Sequence, residues 1–520
     1  MKRTPPQKTD MLLLNGNLIT IDKTFSFQQA MSIRGSRIQM VGTNEELKPL
    51  AGPDTRVVDL KGHTVIPGVI DAHAHMDREG LKKIQPALQE VASIQDILAV
   101  VKRELKKKKP GEWLVTMPVG NPPYYDEIPE RLAEKRYPTR WELDSVSPKN
   151  PVYIRGIFGP WNTRPSISVA NSRALQLAGI DRETPSPHPS VVIERNHRDE
   201  PTGVIVDHNM MPVTEFSLMK VVPRFTHHER VIALQDSMKL YNSVGTTSIY
   251  EGHGLTPEVV RVYKALWDKN RMTLRCHLVL SPKWHSLKHA KTEIAHFGYC
   301  LSNFGFGDNL LRLCGYFIQL RGHCHVARLR SAELPYTGWA GFALSYNTFP
   351  RFLSLLKMAA AEKIRIHTIA TGEKELEDVI RAFETVQREF SISDKRWVIE
   401  HIRDVRPDQM QRIRDLGVVC QTIPATHIWQ RGASYLDNNQ KANRIVPHRD
   451  FLKSGIPFAM GTDNKPYNPF FTYWSAVVRK ERQSGMVIGP KQCLTRGQAL
   501  YALTMGGGIS VGQRNISGIS

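Results

Sequence analysis

The chain has 520 residues, 41% of them hydrophobic and 23% charged, a balance that is ordinary for globular proteins and unlike that of disordered chains or coiled coils. Seventy lysines and arginines against 50 aspartates and glutamates give a formal net charge of +20, which would attract nucleic acid, anionic lipid or an acidic substrate without choosing among them. No apolar run approaches the roughly 18 residues that a membrane-spanning helix needs, which excludes insertion into a bilayer.

The cysteines and the first residues of the chain both indicate a cytoplasmic protein. The six cysteines are scattered, without a close Cys-x-x-Cys pair, so we expect reduced thiols and no disulfide framework. The first apolar stretch, residues 11–14, is broken at once by an Asn-Gly turn, whereas a signal peptide needs a longer apolar core.

Residues 1–65 have the pattern of a small antiparallel β-domain, part of a β-sandwich. From about residue 10, short apolar runs alternate with Asn-Gly, Arg-Gly and Lys-Gly turns, which are typical of tight connections between strands.

Residues 66–490 have the pattern of an α/β protein, a (β/α)8 TIM-type barrel. Apolar, β-rich segments alternate with amphipathic, charged segments such as 373–390 and 407–416. The expected strands are residues 64–70, 246–250, 273–280, 311–320, 364–369, 397–401, 418–423 and 456–460. An open doubly wound sheet is the main alternative, but no glycine-rich phosphate loop follows the first strand.

A long insertion, about residues 80–240, separates the first two expected barrel strands. It is rich in proline and aromatic residues, and a structureless loop of that length is improbable, so we expect a folded cap. Its basic run, residues 104–109, lies at the end of an expected helix, where cations suit the helix dipole. Because no aromatic interleaving accompanies this run, we interpret it as a solvated face and expect no nucleic-acid partner.

The strongest chemical signal is the segment 67–75, in which an apolar strand runs into His73-Ala74-His75. Alternate residues of a strand point to the same side, so both imidazoles face one way. At the carboxyl end of a barrel strand, this arrangement offers two metal ligands on one rigid element.

Three later strand ends carry matching groups, His367, His401 and Asp463. Each follows an apolar burst and precedes a turn or helix, where barrel enzymes place their catalytic side chains. Taken singly, each could be a core histidine or a helix-capping aspartate, but their occurrence in order along the barrel favours one shared site.

These segments resemble the amidohydrolase superfamily, specifically the amidohydrolase-3 branch with YtcJ-like proteins and N-substituted formamide deformylases. The likeness covers nearly the whole chain and includes residues 67–75, the His367 strand, 399–401, 461–463, 150–152, 171–175 and 245–248. It implies a (β/α)8 barrel with a composite β-sandwich, and a metal-activated water that hydrolyses amide-like C–N bonds. It also implies that His73, His75, His367 and His401 are metal ligands, and that Asp463 takes the proton of the water.

Two positions depart from the resembled pattern. The fourth strand of this branch carries a carboxylated lysine that bridges two metals, and Phe317 stands about there in this chain. The turn after His367 reads Ile-Ala-Thr-Gly where the branch shows Ile-Gly-Asp, and Ala370 stands where deaminases carry a glutamate. Both positions argue against a carbamate-bridged pair of metals, and Ala370 argues against deamination.

A single ion is chemically sufficient for hydrolysis. We expect one Zn²⁺ per subunit, with Fe or Mn as alternatives, held by His73, His75, His367 and Asp463 and keeping one position open for water. A zinc-bound water has a pKa near 7, so a nucleophile is available at neutral pH. His401 would then orient the water or polarise the substrate, and Asp463 would bind the metal or carry the proton.

Other residues are candidates for acid–base catalysis or substrate binding. Glu251, at the end of the second strand, either replaces the missing bridging carboxylate, acts as a second acid or base, or forms a buried ion pair. The expected substrate contacts come from the cap, from late loops and from a second His-x-His motif: Tyr124, Trp161, Trp429, Arg431, Lys465 and His323. These residues suit a bulky apolar substrate with an anionic group, while His277 on the third strand is expected to be a core residue.

The leading hypothesis is therefore a metal-dependent hydrolase of a non-peptide C–N bond in a small molecule. A decarboxylase or other lyase on the same metal barrel, and a catalytically dead binding protein, are the alternatives. Residues 491–520 are expected to form a C-terminal helix and the start of a return to the sandwich. Since the resembled family adds closing strands there, we expect a sandwich edge that a second subunit, as in a homodimer, would cover.

Overall fold

The structure is a computed structural model that describes residues 9–22, 24–156, 165–209, 213–303, 305–322, 339, 341–343 and 345–510. Within these ranges, no helix combines the length and the hydropathy that crossing a membrane would require.

The N-terminal segment forms two small sheets, as its alternating pattern predicts, but they are mixed and not purely antiparallel, because residues 11–14 pair in parallel with 56–59 and residues 17–18 with 64–65. The strands are β1 (Met11–Leu14), β2 (Asn17–Ile19), β3 (Phe27–Gln28), β4 (Ala30–Arg34), β5 (Arg37–Gly42), β6 (Arg56–Asp59) and β7 (Thr64–Val65). One sheet has the order β5-β4-β1-β6 and the other the order β3-β2-β7. A short helix, Asn44–Leu47, begins at a capping box between Thr43 and Glu46.

The first barrel strand, β8 (Val69–Ala74), is buried along its whole length. The sequence pattern joined it to residues 64–65, but these belong to β7 of the N-terminal sheet. The intervening Pro67-Gly68 pair separates the two strands, because proline has no N–H to donate to a ladder. As a result, His73 lies inside the barrel strand and His75 directly after it.

The insertion contains a mixed five-stranded sheet with the order β12-β13-β11-β10-β9. Its strands are β9 (Leu114–Thr116), β10 (Val152–Ile154), β11 (Ser166–Ala170), β12 (Val191–Arg195) and β13 (Pro201–Asp207). Its helices are Met76–Glu79, Ile94–Leu105, Arg140–Val146, Ser172–Ala178, Val213–Phe216 and His227–Ser243. The last of these begins at a capping box between Thr226 and Glu229 and packs on the outside of the barrel.

The remaining strands complete an eight-stranded parallel barrel, so the predicted fold class is confirmed. They are β14 (Thr246–Glu251), β15 (Arg275–Leu280), β17 (Leu311–Phe317), β18 (Ile366–Ile369), β19 (Val398–Glu400), β20 (Val419–Thr422) and β21 (Phe458–Met460), with the two-residue β16 (Phe306–Gly307) beside β17. The helices that follow them are Pro257–Trp267, Leu287–Leu301, Phe349–Ala361, Glu373–Gln387, Pro407–Asp415, Asn439–Ala442, His448–Ser454 and Pro469–Val478.

The ring closes between β21 and β8 through side chains and loop backbone. The Asp463 N–H donates to the His73 carbonyl over 2.8 Å, and the Thr462 N–H donates to Asp71 Oδ1 over 2.9 Å. Gly461 allows this approach, since a Cβ there would lie 2.3 Å from the Cβ of His73. The seam therefore holds the Asp463 loop against the His-x-His strand.

The helices Arg496–Leu503 and Met505–Ser510 cover the opposite, amino end of the barrel. Gly506 packs on the Phe458 carbonyl, and Gly507 packs on Ile70, where a Cβ would lie 2.7 Å from the Ile70 Cβ. The C-terminal helix of the prediction is present, whereas the expected return to the sandwich falls in residues 511–520, outside the described part of the chain.

Candidate metal-binding active site

Seven acid–base side chains meet at the carboxyl ends of the barrel strands. They form three groups, and within each group the ligand atoms lie within 4.8 Å of one another: His73 with His75 and His253, His73 with His401 and Asp463, and His75 with Asp77 and Glu251. His73 belongs to β8 and Glu251 ends β14, Asp77 lies in the helix Met76–Glu79, and the other four stand on the loops after β8, β14, β19 and β21. This is the edge at which parallel barrels carry their active sites.

The closest contacts join imidazoles to each other and to Asp463. His401 Nε2 lies 3.2 Å from His73 Nε2, and His75 Nε2 lies 2.9 Å from Asp463 Oδ1. His401 Nε2 is also 3.9 Å from Asp463 Oδ2. His253 lies beside this group, its ring stacked on His401 with centroids 5.2 Å apart.

Four of the five predicted metal or catalytic positions on strand ends therefore come together: His73, His75, His401 and Asp463. His367 is placed differently, because no ligand group found among the described residues contains it. Its ring stacks on Tyr250 at 4.4 Å between centroids, and its Nδ1 lies 3.4 Å from Glu400 Oε1. Its role as a ligand stays a prediction.

Glu400 is the buried centre of the histidine group. Its Oε2 lies 3.0 Å from His253 Nδ1 and 3.6 Å from His73 Nδ1, and Tyr250 donates its hydroxyl to Oε1. A carboxylate at the Nδ1 side of an imidazole fixes the ring so that Nε2 faces the opposite way, as carboxylates behind metal-binding histidines do. This orientation agrees with the meeting of the His73 and His401 Nε2 atoms.

The protonation states of these groups suit a divalent cation. Burial lowers the pKa of His73 to about 4 and holds the pKa of His75 and of His401 well below its usual value, so the imidazoles are neutral at pH 7. Burial raises the pKa of Glu400, but contacts with His253 and His367 outweigh it and leave the pKa well below the usual range. Neutral imidazole and ionised carboxylate are the forms in which these side chains bind metal.

An unsatisfied atom points to the same conclusion. His367 Nε2 is buried and has no hydrogen-bond partner among the described residues. A buried imidazole nitrogen without a partner costs free energy unless a ligand meets it. The donor set and this nitrogen therefore fit a metal ion.

The site carries backbone strain at the residues that form it. His253, His401, Asp463 and Asn464 have φ values of 61°, 58°, 51° and 54°, in the left-handed region. Such conformations cost about 1–3 kcal/mol each for residues other than glycine and persist where the surroundings impose them. Asn464 supplies part of that constraint, because its side chain accepts from the His75 N–H and donates to the His75 carbonyl, both over 2.9 Å.

Glu251 lies at one side of the site, next to His75 and Asp77. It accepts the Tyr263 hydroxyl and the Asp77 N–H, the latter over 3.0 Å, and therefore packs towards the outer helix Pro257–Trp267. Burial, followed by the charge of Asp77, raises the pKa of Glu251 well above its usual value. This shift favours the protonated carboxyl, the form that suits a hydrogen-bond donor or an acid better than a bridging carboxylate.

The predicted substrate contacts cluster beside Asp463. Lys465 is buried and donates to Asp463 Oδ2, while Tyr124 of the cap donates its hydroxyl to the Lys465 carbonyl over 2.7 Å. The Tyr124 ring contacts Trp429 with centroids 5.4 Å apart. Arg431 is close enough to Asp463 for the carboxylate to oppose the burial that lowers the pKa of Arg431. Trp161 and His323 were also predicted, and both lie outside the described residues.

Two aromatic rings line the wall on the side of His253. Phe317, at the end of β17, contacts the His253 ring with centroids 5.3 Å apart, so the residue that replaces the lysine of the resembled branch does face the site. Phe342 lies 5.0 Å from His253 and 6.0 Å from His75, centroid to centroid. These rings make one side of the site apolar. His277, by contrast, is a buried strand residue, and no metal-ligand group of the described chain includes it.

Sequence reasoning missed two central residues, His253 and Glu400. Glu400 has a visible signal, since it is the one charged residue within the apolar strand 398–400, where an unpaired carboxylate would be costly. His253 follows Glu251-Gly252, and its neighbour is required to be small, because a Cβ on Gly252 would lie 2.2 Å from His73 Nε2.

Comparison with known proteins agrees with this geometry. The N-substituted formamide deformylase of Arthrobacter pascens is 26% identical over 514 residues, covering 96% of this chain and 89% of that protein. The protein YtcJ of Bacillus subtilis is 24% identical over 496 residues, covering 92% and 86%. An uncharacterized metal-dependent hydrolase from Pyrococcus furiosus superimposes with a TM-score of 0.69 at 20% identity, over 96% of this chain and 94% of that one, which supports the fold.

The sequence profile of the amidohydrolase family matches residues 56–517, which run from β6 of the N-terminal sheets through the whole barrel. With the buried histidines and Asp463 at the barrel mouth, this match shows that the chain belongs to the amidohydrolase family.

Proposed function

We propose that this protein is a metal-dependent hydrolase that cleaves an amide, formamide or carbamoyl-type C–N bond of a small molecule. The observation that carries the proposal is the group of four buried side chains, His73, His75, His401 and Asp463, with the half-buried His253 beside them, at the carboxyl end of the barrel. The relationship to a formamide deformylase over 96% of the chain supports the bond class.

The residues that would hold the ion are His73, His75 and Asp463, with His401 and His253 beside them. Imidazole and carboxylate ligands suit Zn²⁺ and also Fe or Mn, and we propose zinc, one ion per subunit. A divalent ion at this place supplies Lewis-acid activation of water and of the scissile carbonyl.

Asp463 is the proposed proton carrier. Burial raises its pKa, but the charge of Lys465 and the hydrogen bond with His75 outweigh burial, so the pKa lies well below its usual value. The carboxylate is therefore ionised at neutral pH, which is the form that would accept a proton from water and return it to the leaving nitrogen. Lys465 holds Oδ2 from the other side and so fixes the direction in which the carboxylate faces.

His401 is the proposed orienting group for the carbonyl of the substrate. Its Nε2 lies 3.2 Å from His73 Nε2 and 3.9 Å from Asp463 Oδ2, so a carbonyl that approaches the proposed ligands would be next to it. Ala370 is fully buried in the barrel wall and brings no acid to the site, in line with hydrolysis of an amide and against deamination.

Metal analysis combined with product analysis tests the proposal. Purified protein is assayed for bound metal and then with N-substituted formamides, N-acyl amines and carbamoyl compounds, and released amine and carbon dioxide are both measured. The substitution Asp463→Asn should lower kcat by about 10²- to 10⁴-fold, the usual worth of a positioned acid–base group. Asp268→Asn, at an exposed ion pair with Lys264, is the matched control and should leave kcat unchanged.

Three outcomes contradict the proposal. Full activity in metal-free protein or in the Asp463→Asn variant would remove the metal-dependent mechanism. Release of carbon dioxide from a carboxylic acid without release of amine would indicate a lyase. Protein that binds these compounds but never turns them over, even with stoichiometric metal, would indicate a binding protein.

A further inference from the structure

A wide helical turn, Ala425–Gln430, follows β20 at the mouth of the barrel. It is of the π type, in which the hydrogen bonds span one residue more than in an α-helix. Such turns are rare and occur frequently at functional sites, because they redirect individual side chains. Here the turn carries His427 and ends next to Arg431.

His427 is a buried imidazole that the described residues leave unsatisfied. Its side chain is 3% exposed, and neither Nδ1 nor Nε2 has a hydrogen-bond partner in the described chain. A neutral imidazole has one donor and one acceptor, and burying both without partners costs free energy unless a ligand meets them. The ring lies edge-on to His401 with centroids 5.7 Å apart, so any group that meets His427 is next to the metal ligands.

The surroundings of His427 are positively charged. After burial, the charges of Arg403, Arg431 and Lys465 hold the pKa of His427 well below its usual value, and Asp463 opposes them. Lys465 is bound to Asp463, and Arg403 is bound to Asp404 over 2.9 Å. The charge of Arg431, at the end of the same turn, also acts on His427, and a net positive surrounding favours an anion at this place.

A cluster of aromatic side chains lies beside these charged residues. Trp429, on the same turn as His427, contacts Tyr124 at 5.4 Å and Phe471 at 5.0 Å between ring centroids. The guanidinium of Arg482 covers the Trp429 ring at 5.2 Å. Tyr124 also donates to the Lys465 carbonyl, so this aromatic cluster lies beside the Asp463–Lys465 pair.

We propose that His427 and Arg431 bind a carboxylate of the substrate, so that the enzyme acts on acidic N-acyl or N-formyl compounds with a bulky apolar group. The inference rests on the proposed hydrolase function and names its substrate class. A neutral His427 donates its N–H to one carboxylate oxygen, Arg431 supplies the opposite charge, and the apolar group lies on Trp429 and Tyr124. His427 and Arg431 are thus substrate-binding residues and take no part in the proton transfer of Asp463.

Direct binding of two matched ligands tests this subsite without any need for turnover. Calorimetry compares 3-phenylpropanoate with its neutral counterpart 3-phenylpropanamide on protein of equal, measured metal content. The wild type should bind the carboxylate more tightly. His427→Gln and Arg431→Gln should each weaken carboxylate binding by about 10- to 100-fold, the usual worth of a hydrogen bond to a charged group, and should change amide binding by less than about threefold.

Arg444→Gln is the matched control, since Arg444 is a largely exposed arginine 4.0 Å from Glu373, and its removal changes the net charge by the same amount. It should leave both affinities unchanged. Arg431→Gln keeps the test informative if the buried His427→Gln variant does not fold.

Two results would overturn the proposal. One is a wild type that does not prefer the carboxylate. The other is a preference that survives in both His427→Gln and Arg431→Gln, because a direct contact between carboxylate and metal is the same in all variants. Absence of hydrolysis contradicts the proposed function alone, whereas the subsite is then still tested by binding. Where hydrolysis occurs, N-formylphenylalanine against N-formylphenethylamine should show the same loss in kcat/KM, confined to the carboxylate substrate.

Discussion

Replacing Glu400 by glutamine should weaken divalent-metal binding by about 10- to 100-fold, which corresponds to roughly 1.4–2.7 kcal/mol. Glu400 does not belong to the ligand groups of the described residues, so the effect has to pass through the histidines that it holds. The size and chemistry of the side chain change little, and what is lost is one negative charge and one acceptor oxygen.

The magnitude follows from the contacts of the carboxylate. Oε2 meets His253 Nδ1 at 3.0 Å and accepts the His253 N–H over 3.3 Å, while Oε1 meets His367 Nδ1 at 3.4 Å and the Tyr250 hydroxyl. Glutamine presents an amide NH₂ to one of these pairs of donors. The facing imidazoles must then turn or change tautomer, which displaces His253 and, through the 3.6 Å contact of Oε2 with its Nδ1, His73, both of them members of one ligand group.

Metal affinity is measured by competition with a chromophoric chelator, and stability of the metal-free protein by urea unfolding. Metal-free Glu400→Gln should lose roughly 1–3 kcal/mol of unfolding free energy, because buried donors lose a charged partner. Glu389→Gln, at the solvent-accessible ion pair with Lys357, is the matched control and should change neither quantity appreciably. A Glu400→Gln variant with wild-type metal affinity would refute the positioning role that the structure assigns to this carboxylate.

Two further substitutions give independent tests. Gly252→Ala places a Cβ 2.2 Å from His73 Nε2 and should lower metal content, with about 1–3 kcal/mol of destabilisation; wild-type content after dialysis against metal would contradict the contact. His277→Gln tests a pH effect: burial, followed by the charges of Arg312 and Arg365, lowers the pKa of His277 to about 3, against about 6.5 when unfolded. Between these values the unfolded chain binds the extra proton, so wild-type stability falls as pH falls, by about 1.4 kcal/mol per unit from this residue. Between pH 6.5 and pH 5, the free energy of unfolding measured in urea should therefore fall by about 2 kcal/mol less in His277→Gln than in the wild type. Equal falls in the two proteins would contradict the prediction.

The barrel could be predicted from sequence because its strands are buried on both faces. Each of the eight predicted apolar segments overlaps a strand of the ring, and β8 is buried at every position. The ends were less predictable, since Thr64 and Val65 continue the same apolar run and yet pair in the N-terminal sheet. Apolar character does not reveal which sheet a strand joins, and here a proline decides it.

The ligands that stand on strand ends were predictable for a geometric reason. His73, His401 and Asp463 each lie at or just after the end of an apolar segment. A parallel barrel brings the carboxyl ends of its strands to one edge. His253 was not predictable in this way, because it lies two residues past β14 and reaches the site through a left-handed backbone conformation, φ 61°. Within this segment, Glu251 is the predicted catalytic candidate instead of His253. Strand alternation, however, directs Glu251 to the side opposite its neighbour Tyr250, and it is Tyr250 that reaches Glu400.

The residues around Glu400 also favour a single ion. In the resembled pattern a carboxylated lysine at the Phe317 position bridges two metals, and here an aromatic ring lies there against His253. The carboxylate that does lie nearby, Glu400, already accepts from Tyr250 and contacts three imidazoles on their Nδ1 sides. A second ion bound by Glu400 would have to displace those contacts, including the contact with the proposed ligand His73. Glu400 is therefore not available to replace the missing bridging carboxylate without losing these contacts, which supports one ion per chain. Metal analysis of the purified wild type should find one ion per chain, and two ions per chain would contradict the argument.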